Sequence, residues 1–112
     1  MLWSVDPSSS TPLFEQVAAC VRQGVTDGEL PVGTRLPSAN DLATALDVNM
    51  HTILRAYQEL RDEGILELRK RRGAVVLASG EQLISAFVDR VIEEAAELGL
   101  TVAELTKKLE KR

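Results

Sequence analysis

The chain has 112 residues, of which 45% are apolar and 27% are charged, and its formal net charge is −4. This length accommodates one compact domain with a modest appendage, and no apolar run approaches the roughly 20 residues of a membrane-spanning helix. The single cysteine, Cys20, excludes an internal disulfide framework and predicts a cytoplasmic protein with no membrane partner. Because phosphate groups repel negative charge, a nucleic-acid partner would require a local cluster of cations.

The first predicted helix follows a loose arm, residues 1–10, that ends in three serines. Thr11 is expected to cap this helix, and Pro12 is expected to be its first residue. Cys20 is expected to be a small core residue of the helix, and Gly28 ends it. Apolar residues recur at helical spacing as one buried stripe, at Leu13, Val17, Val21 and Val25.

Two further helices are predicted before Gly64, separated by a tight break at Asp47. Ser38 caps the first of them and Asn49 caps the second. One side of the second helix is apolar, at Ile53, Ala56, Tyr57 and Leu60. The exposed side of its first turns is polar, at Asn49, His51, Thr52 and Arg55.

The segment Ser38–Leu60 therefore has the features of a helix-turn-helix motif. A helix fits the major groove of DNA, and its first residues can reach base edges while the preceding helix braces it on the backbone. The same spacing is also that of an ordinary helical hairpin with a solvated polar face. Spacing alone leaves both interpretations open.

Two short strands are predicted next, Ile65–Leu68 and Ala74–Leu77. Between them lies the only dense basic cluster of the chain, closed by Gly73 and formed by Arg69, Lys70, Arg71 and Arg72. Such a hairpin can be a wing whose cations meet phosphate groups or enter the minor groove. It can also be a solvated turn that keeps a sheet edge from pairing. Three helices followed by a basic hairpin is the order of a winged helix-turn-helix.

Two helices are predicted from Ser79 onward. The first extends to Leu98 and ends at Gly99, and a capping box of Thr101 and Glu104 begins the second. Their apolar stripe is wider than one small neighbour can cover, so we expect it to be buried against a second copy of the chain. The expected dimerisation residues are Ile84, Phe87, Val88, Val91, Ile92, Ala95, Leu98 and Leu105.

The sequence contains no recognisable catalytic or metal-binding set. His51 is the only histidine, whereas a metal site normally needs several such ligands. Cys20 would need a histidine base to act as a nucleophile, and nothing in the sequence brings His51 beside it. We therefore expect neither an enzyme nor a cofactor.

Four segments occur in the order and spacing of a known family. They are Pro12-Leu13-Phe14-x-Gln16, Gly28-x-Leu30-x-x-Gly33-x-Arg35-Leu36-Pro37-Ser38, Asp41-Leu42-Ala43-x-x-Leu46-x-Val48-Asn49 and Thr52-Ile53-x-Arg55-Ala56-Tyr57-x-x-Leu60-x-x-Glu63-Gly64-Ile65. From Pro12 to about Val76 the chain thereby resembles the GntR family of bacterial transcription regulators, and in particular its short YtrA-like branch.

The resemblance implies a mainly α fold with a small β-hairpin. A winged helix-turn-helix over residues 1–78 would bind DNA, and a short helical element over residues 79–112 would dimerise. It further implies a homodimer that binds a palindromic double-stranded operator, usually as a repressor. The DNA-binding residues are then expected to be Arg35, Ser38, Asn40, Asn49, His51, Thr52, Arg55, Arg69, Lys70, Arg71, Arg72 and Gly73.

The chain departs from the family pattern at three places. Asn40 and Met50 stand where the family commonly has arginine, or proline at the second position, and the wing lacks the usual Gly-x-Gly. Two contacts to DNA would then be absent, and the wing would bind DNA through the positive charge of its side chains. One alternative is a ligand-gated regulator of the same fold with a small-molecule site at the dimer interface. Two helices offer few residues to line such a pocket. Another is a winged helix used only for protein contacts, against which the basic hairpin argues.

Overall fold

A computed structural model describes residues 3–70 and 72–112. They form two compact units, one ending at Gly80 and the other spanning Glu81–Arg112. The elements in chain order are α1 (Leu13–Thr26), β1 (Arg35–Leu36), α2 (Ala39–Leu46), α3 (Met50–Asp62), β2 (Leu66–Arg69), β3 (Gly73–Val76), α4 (Gly80–Glu97) and α5 (Val102–Glu110). Among the described residues, no helix combines the length and the apolar character needed to cross a bilayer.

Helix α1 begins one residue later than predicted. The N-cap is Pro12 and not Thr11, and no side chain caps the helix. Gln16 holds the preceding arm instead, because its side-chain amide donates to the carbonyl of Thr11 at 2.8 Å and exchanges two hydrogen bonds with the backbone of Asp6, at 2.7 and 3.0 Å. The arm predicted to be loose is thus tied to α1 from Asp6 onward, while residues 1 and 2 lie outside the described residues.

The core of the first unit lies where α3 packs against α1 and α2. Leu13 is only half-buried, but the rest of the predicted stripe of α1 is buried. The expectation that Cys20 lies in the core is wrong, because its position is about 100° around the helix from Val21, the middle of the stripe. Its half-exposed thiol donates to the carbonyl of Ser4 at 3.5 Å. The helical core residues are Val17, Ala18, Val21, Val25, Leu42, Ala43, Ile53, Ala56, Tyr57 and Leu60.

The starts of α2 and α3 confirm the predicted caps, and the turn between the two helices lies at Asp47. The Ser38 hydroxyl accepts a hydrogen bond from the amide of Asp41 at 3.1 Å, and the Asn49 side chain accepts one from the amide of His51 at 2.8 Å. Asp47 adopts the left-handed conformation with φ of 54°, which ends α2 and reverses the chain. An aspartate tolerates this conformation better than most residues because its short polar side chain can bond locally.

The predicted two-stranded hairpin is part of a three-stranded antiparallel sheet in the order β1-β3-β2. The additional strand pairs Leu36 with Ala74 and Arg35 with Val75. Two residues are too few to show the alternation of a strand, so the sequence did not predict β1. Its backbone approaches Gly73 very closely: a Cβ atom on that glycine would lie 2.1 Å from the Leu36 carbonyl oxygen.

The second unit contains α5 and all of α4 after its first residue. Helix α4 is followed by Gly99 with φ of +79°, as the predicted helix end requires. The capping box that begins α5 is present: the Thr101 hydroxyl accepts from the amide of Glu104 at 3.2 Å, and the Glu104 carboxylate accepts from the amide of Thr101 at 3.2 Å.

Candidate nucleic-acid interface

Helix α3 presents a polar face on the side opposite its core contacts. His51 and Arg55 are exposed on this face, and Thr52 at its edge is half-buried. Gln58 is exposed one turn further along, at the spacing that keeps it on the same face. The sequence interpretation stopped at the first turns of the helix and missed Gln58, although its helical spacing from Arg55 was sufficient to find it.

The start of α1 flanks this face on one side. A shallow cleft of about 400 Å³ is lined by Leu13 and Phe14 of α1 and by His51, Thr52 and Arg55 of α3. Within it, the guanidinium carbon of Arg55 lies 3.6 Å from the centre of the Phe14 ring. That distance is the separation of stacked groups and makes a favourable cation–π contact.

The start of α2 and the basic hairpin flank the face on its other side. A second cleft of about 210 Å³ is lined by Ser38, Ala39, Leu54, Tyr57, Leu68, Arg69, Lys70 and Gly73. The Tyr57 hydroxyl donates to the Pro37 carbonyl at 2.7 Å and so holds the entry to α2 against α3. Burial raises the pKa of Tyr57 well above its ordinary value, so the phenol stays neutral and keeps donating this bond.

The hairpin between β2 and β3 carries exposed cations. Its turn closes by a hydrogen bond from the amide of Arg72 to the carbonyl of Arg69 at 3.0 Å, and Lys70 between them is exposed. The Arg69 guanidinium uses its Nε to donate to the Glu67 carboxylate at 3.0 Å, with both side chains about half exposed. Among the described residues, Glu67 is the partner of the Arg69 side chain, and the bond uses one of its five N–H donors. Arg71 lies outside the described residues.

The third strand adds one more cation to this surface. Arg35 stands opposite Val75, which also faces Glu67 across the sheet, so these residues share its outer face. Arg35, Arg69 and Arg72 line one small recess with Val75. The structure thus places Arg35 beside the predicted wing. The carboxylate of Glu67 lies on the same surface as the cations Arg35, Arg69 and Arg72.

Three of the remaining predicted contact residues, Ser38, Asn40 and Asn49, lie at the helix starts, and the fourth, Gly73, begins β3. The side-chain oxygens of Ser38 and Asn49 are occupied by the caps, which leaves the Ser38 hydroxyl hydrogen and the Asn49 amide hydrogens as donors. Asn40 is exposed near the start of α2. Gly73 is half-buried and has no side chain to contact DNA. Its lack of a Cβ atom allows β3 to approach β1 closely.

Helix α4 carries an exposed apolar face. Five of the predicted dimerisation residues, Ile84, Phe87, Val88, Ile92 and Leu98, are between 40% and 79% exposed. Val91 and Leu105 are half-buried, and Ala95 is already buried in the single chain. Among the described residues, no group of three His, Cys, Asp or Glu side chains could hold a metal ion.

A helix-turn-helix whose second helix is exposed beside a basic hairpin defines a winged-helix DNA-binding protein. The comparisons with known proteins agree with this class. Residues 13–76 match the family described as bacterial regulatory proteins, gntR family. The chain belongs to the GntR family.

Two relatives match much of the chain, and one of them is named YtrA. Over 107 residues, the chain is 37% identical to the HTH-type transcriptional regulator Rv1152 of Mycobacterium tuberculosis, covering 94% of this chain and 88% of the relative. It is 39% identical over 72 residues to the HTH-type transcriptional repressor YtrA of Bacillus subtilis, covering 64% of this chain and 55% of that protein. The matched part is thus about half the length of the Bacillus relative.

Two solved structures share the fold. YtrA from Sulfolobus acidocaldarius, a GntR-family transcription factor, is 33% identical with a TM-score of 0.64 and is matched over 83% of this chain and 99% of that chain. S. agalactiae BusR in complex with its busAB-promotor DNA is 27% identical with a TM-score of 0.57, matched over 90% of this chain and 46% of that chain. The chain is therefore a YtrA-like, DNA-binding transcriptional regulator of the GntR family and not an enzyme.

Proposed function

We propose that the chain binds a palindromic DNA operator as a homodimer and represses transcription from it. The observation that carries this proposal is the exposed polar face of α3, which lies between the start of α1 and the basic hairpin. A recognition helix needs such a free face to enter the major groove, and flanking elements that can rest on the DNA backbone.

In this proposal α3 makes the contacts that depend on base sequence. His51, Thr52 and Arg55 face the groove, and Gln58 extends the contact by one turn. Within residues 3–70 and 72–112, Arg55 makes no hydrogen bond or ion pair, so its five N–H donors remain for base edges or phosphate oxygens. The donors left at the helix starts, on Ser38, Asn40 and Asn49, suit phosphate oxygens.

The wing makes the contacts that depend on charge. Its exposed cations belong to a chain whose formal net charge is −4, so attraction to DNA depends on their local concentration. Phosphate contacts of this kind position a protein on the duplex without selecting its sequence. The proposed wing contacts are Arg35, Arg69, Lys70, Arg71 and Arg72.

Helix α4 forms the dimer interface in this proposal. Its exposed apolar residues form a face that water covers in a single chain, and a second copy related by a two-fold axis would cover it. The same axis would relate two recognition helices, which requires inverted half-sites about one helical turn apart. Such a dimer would repress by occupying a promoter, and the Bacillus relative is named a transcriptional repressor.

Selection of duplexes from a random-sequence library tests the DNA part of the proposal. We expect the full chain to recover an inverted repeat. Arg55→Ala should weaken binding to the selected duplex by about tenfold or more, since a contact worth about 1.4 kcal/mol corresponds to tenfold and one good side-chain contact contributes about 1–3 kcal/mol. Arg61→Ala is the matched control, because Arg61 lies near the end of the same helix and pairs with Asp62 at 3.3 Å. Equal affinities of both variants and the parent would remove Arg55 from the interface.

Sedimentation of two glutamate variants tests the dimer. Phe87 is 58% exposed on the apolar face, so Phe87→Glu should place a charge in the interface and yield monomers at micromolar concentration. Ala86→Glu adds the same charge to the preceding residue, which is exposed on a different side of α4. It should remain dimeric. A monomeric parent chain, or a dimeric Phe87→Glu chain, would show that α4 is not the dimerisation helix.

A further inference from the structure

Arg55 is held by an aromatic ring from another helix. Phe14 lies in the first turn of α1, and the guanidinium carbon of Arg55 lies 3.6 Å from the centre of its ring. The contact joins residues far apart in the sequence, so it exists only because α1 and α3 pack together. The two side chains form part of the same cleft beside the exposed face of α3.

This contact restrains Arg55 without consuming its hydrogen-bonding capacity. A free arginine side chain samples many rotamers, and fixing it on binding costs conformational entropy. Stacking uses the face of the guanidinium plane, whereas all five N–H donors point outward in that plane. A ring beneath Arg55 can therefore hold the guanidinium group in one orientation while its N–H donors stay free for a ligand.

Phe14 is not needed to fill the core. It is half-buried, whereas the buried stripe of α1 consists of smaller residues that begin at Val17. A leucine at position 14 would retain most of the apolar contact with the first unit. Only an aromatic side chain offers the π face that attracts a guanidinium group.

We propose that Phe14 is a positioning residue for DNA recognition: its ring holds the Arg55 guanidinium in the orientation that meets the operator. The inference rests on the proposed function, because it assigns Arg55 to the DNA contact. It extends the recognition surface to a residue of α1 that does not itself touch DNA.

A double-mutant cycle tests the proposal on the duplex selected by the parent chain. Phe14→Leu should weaken binding by about three- to thirtyfold, the range that corresponds to a cation–π contact. Phe14→Tyr keeps the π face and should bind within about twofold of the parent. In the Arg55→Ala background, Phe14→Leu should have no further effect, because the group it positions is absent.

Three further measurements separate positioning from a general structural role. Duplexes with single base-pair substitutions should show that Phe14→Leu and Arg55→Ala relax discrimination at the same positions. In the DNA-free protein, the Arg55 Nε–H proton should shift on Phe14→Leu, because the ring current above the guanidinium is removed. Melting curves of Phe14→Leu and the parent chain should agree within a few degrees.

The outcomes are distinguishable. Parent-like affinity of Phe14→Leu, or an equal loss in the Arg55→Ala background, would overturn the positioning role while leaving the proposed function intact. An unchanged Arg55 proton shift would overturn the stacking itself. If the parent chain selects no duplex, the proposed function fails, and the inference that depends on it fails with it.

Discussion

Replacing Gly73 with alanine should disrupt the junction of the wing with β1. Gly73 has φ of +84°, a conformation that residues other than glycine rarely adopt. An added Cβ would lie 2.1 Å from the Leu36 carbonyl oxygen and 2.9 Å from the Pro37 carbonyl carbon. Both neighbours are backbone atoms, which cannot move aside as the end of a side chain can.

The expected loss has two parts. The left-handed conformation costs alanine roughly 1–2 kcal/mol. Relieving the overlap requires β3 to move away from β1 at the pair Leu36–Ala74, which weakens backbone hydrogen bonds worth about 1 kcal/mol each. We therefore expect Gly73→Ala to lower the free energy of unfolding by about 3 kcal/mol and to weaken DNA binding through displacement of Arg69 and Arg72.

Gly64→Ala is the matched control. Gly64 has φ of +80°, and no atom lies within 4 Å of its added Cβ, so this variant carries the conformational cost without the overlap. Urea unfolding of both variants with linear extrapolation measures the difference. Equal losses for Gly73→Ala and Gly64→Ala would refute the close approach of β3 to β1 and the reasoning built on it.

Two further changes test the charge of the wing and the buried tyrosine. Glutamine at the four hairpin cations, Arg69, Lys70, Arg71 and Arg72, should flatten the dependence of log affinity on log salt by about 0.9 per lost phosphate contact. Glutamine at Lys107, Lys108, Lys111 and Arg112 removes equal charge and should leave the slope unchanged. Tyr57→Phe removes the hydrogen bond to Pro37 and should cost about 1 kcal/mol in urea unfolding at neutral pH. Burial raises the pKa of Tyr57 above its ordinary value near 10, so the phenol ionises at lower pH in the unfolded chain than in the folded one. The free energy of unfolding of the parent should therefore fall more steeply above about pH 10 than that of Tyr57→Phe. Parallel pH curves would contradict this role of burial.

The boundaries of the helix-turn-helix could be predicted because their signals are local. The Ser38 hydroxyl bonds to the amide of Asp41, and the Asn49 side chain bonds to the amide of His51. These bonds join residues within one helical turn, so they require only that the segment be helical. The start of α1 could not be predicted in this way, since Gln16 holds the arm at Asp6 through a longer loop.

The candidate site was only partly predictable. The polar face of α3 follows from helical spacing, and the basic hairpin follows from its composition. Sequence spacing could not indicate that Phe14 supports Arg55, because that contact depends on how α1 packs against α3. The same is true of Arg35, which reaches the wing only through its pairing with Val75.

The sequence by itself determined the helices, the basic hairpin and the apolar face of α4, because periodicity and capping operate within a few residues. Tertiary structure decided the pairing of β1 with β3, the close approach at Gly73 and the stacking of Arg55. A strand of two residues has no pattern of its own, and it gains hydrogen bonds only when folding brings another strand alongside. A guanidinium group likewise acquires its stacking partner only after two helices pack, so neither contact is encoded at short range.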